Sequence, residues 1–181
     1  MNAPPGMDRV LFTEEQVAQR IREVGAAITE KYRGRDLKLI GVLKGAVFFL
    51  TALAQAIDIP VQIDFLAISS FADHAPGLVR IEKDLDEPIE NQDVLLVEDI
   101  VDTGFTAHYL LRTLAGRGPR SLAICTLLDR SVRRIVQVPV EFRCFEIPDR
   151  FVVGCGLDYK QLYRNLAYIA VMNPERDKAA C

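Results

Sequence analysis

The 181-residue chain contains no tryptophan, only two histidines and only four cysteines. The cysteines show neither CxxC nor Cys/His metal-ligand spacing, which favours reduced thiols in a cytoplasmic protein. The formal net charge of −3 provides no general attraction to nucleic acid or to an anionic membrane. The longest apolar stretch, AVFFLTALAQAI, falls short of the roughly 20 residues that span a bilayer, and MNAPPGMDRV lacks the pattern of a signal peptide. We therefore expect a cytoplasmic protein with no nucleic-acid or membrane partner.

The chain does contain a regular alternation of helical and strand patterns. Residues 13–16 match a capping box, and the apolar spacing after them predicts a helix over about 14–32. The runs LKLIGVL, VQIDFLAIS, DVLLVED and SLAICTLLD predict buried strands, and helices are predicted from near Ala46 and over AHYLLRTLAGRG. This order predicts an α/β domain in which helices flank a central, mainly parallel sheet.

We expect one domain over residues 1–181, because this length supports one hydrophobic core. Its core covers about 8–128. Residues 129–181 carry short strand-like pieces interrupted by Pro and Gly, which we interpret as a small C-terminal hood over the sheet edge. The segment SSFADHAPGLVR predicts a loop that can act as a lid, and LVRIEKDL predicts a short strand after it.

The segment LLVEDIVDTGFT, residues 95–106, brings three carboxylates to the end of a buried strand. Ligands of open α/β sheets bind beyond the carboxyl ends of the strands. Adjacent strand residues face opposite sides, so Glu98 and Asp99 are expected to have separate roles. Residues 103–106 precede a helix whose free N–H groups favour a phosphate. The alternative is that Asp102 and Thr103 only cap the helix, while the other two acids are solvated charges.

The string VLLVEDIVDTGFT resembles the phosphoribosyl pyrophosphate (PRPP) motif of type I phosphoribosyltransferases. With GVLKGAVFFL upstream and FVVGCGLDYKQLYRNLAYIAVMNPE downstream, the resemblance narrows to the hypoxanthine(-guanine) phosphoribosyltransferases and covers nearly the whole chain. It implies the type I fold and the transfer of 5-phosphoribosyl from PRPP to N9 of hypoxanthine, with guanine as a second base. The products would be IMP or GMP and pyrophosphate. It also implies Mg²⁺ as cofactor and a homodimer or homotetramer.

The resemblance assigns a role to each matching residue. Asp102 would be the base that takes the purine ring proton, and the peptide before Lys44 would be cis. The residues that would bind PRPP and its phosphates are Leu43, Lys44, Gly45, Glu98, Asp99, Asp102, Thr103, Gly104, Phe105, Thr106 and Arg164. Those that would bind the purine are Arg130, Phe151 and Val152. The lid would begin at Ser70 and Phe71, and the metal ligands would be Glu98, Asp99 and Asp158.

The chain departs from the family pattern at three places. Ser70-Phe71 stands where Ser-Tyr is usual, Cys155 replaces a common tyrosine, and Arg130 replaces the lysine that donates to the purine 6-oxo group. Arginine also donates to a carbonyl oxygen, but its planar fork has stricter geometry. A xanthine-preferring enzyme is therefore one alternative. Another is an RNA-binding regulator with the same fold, although the purine-type hood and the acidic net charge argue against it.

Overall fold

The computed structural model describes residues 6–70 and 79–174. Its three α-helices are α1 (Glu14–Tyr32), α2 (Ala46–Ala56) and α3 (Phe105–Ala115). The strands are β1 (Met7–Phe12), β2 (Leu37–Leu43), β3 (Val61–Ser70), β4 (Val79–Lys83), β5 (Asp93–Val101), β6 (Ser121–Asp129), β7 (Val140–Glu146), β8 (Val152–Val153) and β9 (Ile169–Met172). A 3-10 turn, Ser131–Arg133, follows β6.

The central sheet has six strands in the order β4-β3-β2-β5-β6-β7. Its pairs are parallel except for the antiparallel pair β3–β4, which confirms the predicted α/β class with a mainly parallel sheet. From β2 the chain continues outward to β3, whereas from β5 it continues in the other direction to β6. The strand order therefore reverses between β2 and β5, and such a switch point opens a crevice at the carboxyl ends of the strands.

Apolar residues on both faces of β5 hold the helices against the sheet. Leu95 and Val97 belong to the core cluster that includes α1 and α2, while Val94 and Leu96 belong to the cluster that includes α3. Alternate strand residues point to opposite faces, so a continuous apolar run covers both sides. The predicted first helix is confirmed over Glu14–Tyr32, including its capping box between Thr13 and Gln16.

The hood is a three-stranded antiparallel sheet in the order β1-β9-β8. The division between core and hood differs from the predicted boundary of 128/129. Strand β1, near the start of the chain, pairs with β9 and so joins the hood, whereas β7, which follows residue 129, completes the central sheet. The exposure pattern of β7 alternates, since it is an edge strand with one more accessible face. Its short, half-polar sequence therefore resembles a hood segment more than a core strand.

The lid prediction lies only partly within the described residues. β3 extends to Ser70 and β4 returns antiparallel from Val79, which confirms the short strand predicted after the loop. Phe71 lies outside the described residues. No helix in residues 6–70 and 79–174 is long and apolar enough to cross a membrane.

Candidate active site

A cleft of 340 Å³ opens at the carboxyl ends of β2 and β5, at the switch point of the sheet. The ends of these two strands and the loops that follow them form most of its wall. Nine of the residues predicted to bind PRPP line it: Leu43, Lys44, Gly45, Glu98, Asp99, Asp102, Thr103, Gly104 and Thr106. The fold therefore brings together residues that are about 50 positions apart in the chain.

The turn after β2 lies directly against the acidic end of β5. The Leu43–Lys44 peptide is cis, as the family resemblance implied. Gly45 has an ordinary helical φ of −61°, yet a Cβ there would lie 1.6 Å from Oδ2 of Asp99. From the hood, Gly156 approaches so closely that its own Cβ would lie 2.0 Å from the carbonyl oxygen of Gly45. A side chain at Gly45 would thus collide with the Asp99 carboxylate, and one at Gly156 would collide with the backbone of Gly45.

The two acids at the end of β5 are buried. Glu98 is 5% exposed, and burial, with the neighbouring charge of Asp99, raises the pKa of its carboxyl well above the usual value. Burial also raises the pKa of Asp99, although the backbone N–H of Ile100 and the charge of Arg164 oppose this effect. Buried carboxylates are unfavourable unless a cation or hydrogen bonds compensate them. The pair is therefore poised to gain from a bound cation or from hydroxyl donors.

The loop between β5 and α3 has the form expected of a phosphate site. Gly104 is the N-cap of α3 with a φ of +92°, a conformation that favours glycine. Within the described chain, no side chain caps the first N–H groups of this helix. The alternative in which Asp102 and Thr103 only cap the helix does not agree with this geometry. The free N–H groups and the helix dipole instead favour an anion at this point.

Asp102 lies between this loop and two arginines. Its Oδ2 is 3.3 Å from Nη1 of Arg130 and 3.5 Å from Nη1 of Arg133. Its Oδ1 is buried and has no hydrogen-bond partner among residues 6–70 and 79–174. Arg130 is only 6% exposed. Its Nε is also buried and has no hydrogen-bond partner in that part of the chain. One carboxylate oxygen of Asp102 is thus held by cations, while the other is buried without a partner in that part of the chain.

A second ion pair lies on the other side of the cleft, beside the turn after β2. Nη2 of Arg164 is 2.7 Å from Oδ1 of Asp158, and Nη1 donates to the carbonyl oxygen of Gly156 at 2.6 Å. The charge of Arg164 also reaches Asp99. The structure thereby places Arg164 and Asp158 next to the loop of Lys44 and Gly45, although neither residue lines the cleft itself.

The predicted purine contacts are not on the wall of this cleft. Phe151 is 41% exposed and meets Tyr159 edge to face, with ring centroids 5.8 Å apart. It lines a separate hood pocket of 530 Å³. Val152 is buried in β8, where it pairs with Val171. Phe105 lies outside the cleft at the start of α3 and is 42% exposed.

The described residues contain no group of three or more His, Cys, Asp or Glu side chains that could hold a metal ion without other ligands. Glu98 and Asp99 nevertheless suit Mg²⁺, because this ion binds through one or two carboxylates together with substrate phosphates. Asp158 fits less directly, since its carboxylate already accepts from Arg164 and from the backbone N–H of Gln161.

The sequence did not indicate several residues that shape the site. Arg133 contacts Asp102, and Gly156 permits the approach of the hood to Gly45. Arg134 is nine-tenths buried in an ion pair with Asp129. The only sequence signal for Arg133 was that it lies three residues after Arg130. That spacing predicts side chains on the same side of the chain only if Ser131–Arg133 is known to form a 3-10 turn.

Known proteins share both this fold and this sequence. The phosphoribosyl transferase domain family matches residues 11–160. A hypoxanthine-guanine phosphoribosyltransferase of Mycobacterium avium is 49% identical over 94% of this chain and 88% of its own length. A crystal structure of a hypoxanthine phosphoribosyltransferase from Staphylococcus aureus has a TM-score of 0.90 at 43% identity and covers 94% of both chains. One from Trypanosoma cruzi, in complex with the product IMP, has a TM-score of 0.91 at 38% identity and covers 97% of this chain and 99% of its own.

The fold and the matching domain define a phosphoribosyl transferase. Together with the identities above, they show that the chain belongs to the hypoxanthine(-guanine) phosphoribosyltransferase family. The family, the fold class and the enzyme class, glycosyltransferase, are thus confirmed as predicted.

The buried Glu98 gives a prediction about stability and pH. Because its pKa is raised in the folded protein, the folded state binds more protons than the unfolded chain between the usual glutamate pKa and the raised one. Stability without ligands should fall as pH rises through that window. We expect Glu98→Gln to raise the free energy of unfolding at pH 7 by about 1 to 3 kcal/mol, because Gln does not ionise and one unit of pKa shift corresponds to ~1.4 kcal/mol. Urea unfolding measures it.

Exposed Glu90 provides a matched control, since Glu90→Gln removes a carboxylate that water already solvates. It should leave the pH dependence unchanged. The difference between wild type and Glu98→Gln should shrink as the pH falls below the usual glutamate pKa, where the wild-type side chain becomes protonated in both states. A wild type more stable than Glu98→Gln at pH 7 would contradict this reading of the acidic pair.

Proposed function

We propose that the protein transfers the 5-phosphoribosyl group of PRPP to N9 of hypoxanthine, and also of guanine, in purine salvage. The products are IMP or GMP and pyrophosphate. One observation carries the proposal: the turn of Leu43–Gly45, the buried acids of β5 and the Gly104 loop all line a single cleft. An anion site at a helix N-terminus beside two carboxylates suits a phosphorylated sugar. The IMP complex of the Trypanosoma cruzi relative supports the same product class.

The geometry supports a division of PRPP across the cleft. The loop of residues 103–106 would hold the 5′-phosphate, because its free N–H groups and hydroxyls are donors. Glu98 and Asp99 would accept hydrogen bonds from the ribose hydroxyls or hold a metal ion there. Lys44, Gly45 and Arg164 would hold the pyrophosphate, whose negative charge the two cations neutralise.

In the proposed reaction, the bond from N9 to C1′ of the ribose forms while the bond from C1′ to the pyrophosphate oxygen breaks, and its electron pair leaves on the pyrophosphate. Asp102, which lines the cleft, takes the proton from the purine ring nitrogen. The transition state has oxocarbenium character, and the carboxylates of Glu98 and Asp99 stabilise positive charge at C1′. Arg130 would donate to the 6-oxo group, and Phe151 would stack on the purine beside Val152.

Mg²⁺ is the proposed cofactor. Glu98, Asp99 and Asp158 would hold it, directly or through water. When bound, it neutralises charge on the pyrophosphate and so makes that group a better leaving group. The ion pair of Asp158 with Arg164 implies that Asp158 exchanges partners, or shares them, when a cation binds.

A lid and an assembly complete the proposal. The lid would begin at Ser70 and Phe71 and would close over the reaction centre to exclude water. Phe48 of α2 is 45% exposed and lies in an apolar groove of 280 Å³ that also includes Cys155 and Leu166. An exposed apolar surface of this kind supports assembly into a homodimer or homotetramer. A cytoplasmic location is supported by the free thiols of Cys125, Cys144 and Cys155.

A xanthine-preferring enzyme is the second candidate, and Arg130 is the residue that favours it. In the structure Arg130 is partly engaged with Asp102, so its freedom to reach the purine carbonyl differs from that of a lysine. Its remaining N–H groups still select a carbonyl rather than an amino group at C6. The 6-oxopurines are therefore the substrate class in either case.

A product assay with PRPP, Mg²⁺ and each purine tests the function. We expect IMP from hypoxanthine and GMP from guanine, xanthine to react more slowly than hypoxanthine, and adenine not to react, because an amino group at C6 cannot accept from Arg130. Hypoxanthine slower than xanthine by more than about tenfold, which corresponds to ~1.4 kcal/mol in the activation free energy, would contradict the proposed preference. Tight, sequence-specific RNA binding without any transfer would point to a regulator instead.

The role of Asp102 is tested by Asp102→Asn, which keeps the size of the side chain but removes its basicity. Turnover should fall by roughly two to four orders of magnitude, the usual range for loss of general acid–base catalysis. PRPP affinity, measured by calorimetry, should stay close to that of wild type, because the loop N–H groups and the cations remain. Unchanged turnover would remove Asp102 from the role of base.

A further inference from the structure

We infer that Arg133 is a positioning residue for Asp102: its guanidinium holds one oxygen of the carboxylate and so fixes the orientation in which Asp102 meets the purine proton. The inference rests on the proposed function, since it takes Asp102 as the base. Neither the sequence motif nor the predicted purine contacts include Arg133. Its assignment comes from the two arginines that meet at Asp102.

The local backbone places Arg130 and Arg133 on the same side of the chain. Residues Ser131–Arg133 form a 3-10 turn, and the N–H of Arg133 donates to the carbonyl oxygen of Arg130 at 3.1 Å. A 3-10 turn has about three residues per turn, so side chains three apart are eclipsed. Both guanidinium groups consequently reach the same carboxylate oxygen, Oδ2 of Asp102, at 3.3 and 3.5 Å.

The contact with the arginines restricts the orientation of the Asp102 carboxylate. Oδ1 is buried and has no hydrogen-bond partner in the described part of the chain, and Asp102 lines the cleft. A carboxylate with one oxygen fixed by cations cannot easily rotate. Because a general base must lie within hydrogen-bond reach of the proton that it takes, fixing this rotation favours the reaction.

Two arginines are required because Arg130 has a second task. In the proposed reaction it donates to the 6-oxo group of the purine, and its buried Nε has no partner among the described residues. As Arg130 turns toward the purine, Arg133 keeps Oδ2 of Asp102 neutralised. Arg133 also lies near Asp149, whose Oδ1 is 3.8 Å from its Nε. Asp149 stands two residues before Phe151, so the contact links the base to the hood.

The turn that carries Arg133 is fixed to the phosphate loop. The N–H groups of Ile135 and Val136 both donate to the carbonyl oxygen of Thr103, at 2.9 and 3.0 Å. On the other side, the hydroxyl of Ser131 donates to Glu146. The segment is therefore anchored beside Asp102 on both sides of Arg133, and its position does not depend on the arginine side chain.

A role in stability alone is an insufficient explanation for Arg133. Its side chain is 47% exposed, and ion pairs of such exposed side chains contribute little to stability because water and salt screen them. Removing the charge should therefore leave the fold intact. An effect on the reaction can then be separated from an effect on folding.

The test is a double-mutant cycle of Arg133→Gln and Asp102→Asn, in which the rate of IMP formation is measured in single turnovers. We expect Arg133→Gln to lower that rate roughly ten- to a hundredfold, the size of a misplacement effect, with KM for PRPP changed by less than about twofold because uniform binding is untouched. In the Asp102→Asn background the same change should have almost no further effect, since Arg133 acts through Asp102. Arg133→Lys, which keeps the charge, should recover most of the rate.

Arg117→Gln is a matched control. Arg117 pairs with Asp84 at 2.7 Å, outside the cleft, so its loss removes an arginine–aspartate pair without touching Asp102. This variant should react like wild type, and thermal unfolding should show all variants folded. An equal loss of rate from Arg133→Gln in both backgrounds, or no loss in either, would overturn the inference while leaving the proposed function intact. Absence of IMP formation by the wild type would instead overturn the proposed function.

Discussion

The cleft depends on one steric constraint, the contact of the Asp99 side chain and of the hood backbone at Gly156 with Gly45. The carboxylate of Asp99 occupies the space where a Cβ of Gly45 would lie, and Gly156 presses on the carbonyl oxygen of Gly45 from the hood side. The φ of Gly45 suits any residue, so glycine is needed there for space and not for conformation. Without this contact, the turn after β2, the acidic end of β5 and the hood would lie further apart.

The consequences of that contact are electrostatic. Close packing removes water from Glu98 and Asp99, so their carboxylates carry raised pKa values in the ligand-free protein. This arrangement disfavours the charged forms until hydroxyl donors or a cation arrive. The same packing places Arg164 beside Asp99 and Asp158, so that positive charge is available where pyrophosphate is proposed to leave. Across the cleft, Arg130 and Arg133 provide the corresponding positive charge at Asp102.

Much of the fold followed from periodicity, and most of the cleft followed from the motif. The capping box at Thr13 and the apolar runs of β2, β5 and β6 have strong local signals, and the structure confirms them. The pairing of β1 with β9 could not be predicted, because a contact between the two ends of the chain leaves no local pattern. Arg133 was missed for a related reason: its contact with Asp102 depends on a 3-10 turn that no propensity in SVR indicates.

Calorimetric titration of Mg²⁺ and PRPP into wild type and Gly45→Ala tests the central constraint most directly. The added methyl group has no space beside Asp99, so PRPP affinity should fall by at least about tenfold, which corresponds to ~1.4 kcal/mol. Gly116→Ala is the comparison, since its Cβ would lie no closer than 3.5 Å to its nearest neighbour, and it should bind PRPP like wild type. Equal PRPP affinity for Gly45→Ala and wild type, with both proteins folded, would contradict the dependence of the site on this contact.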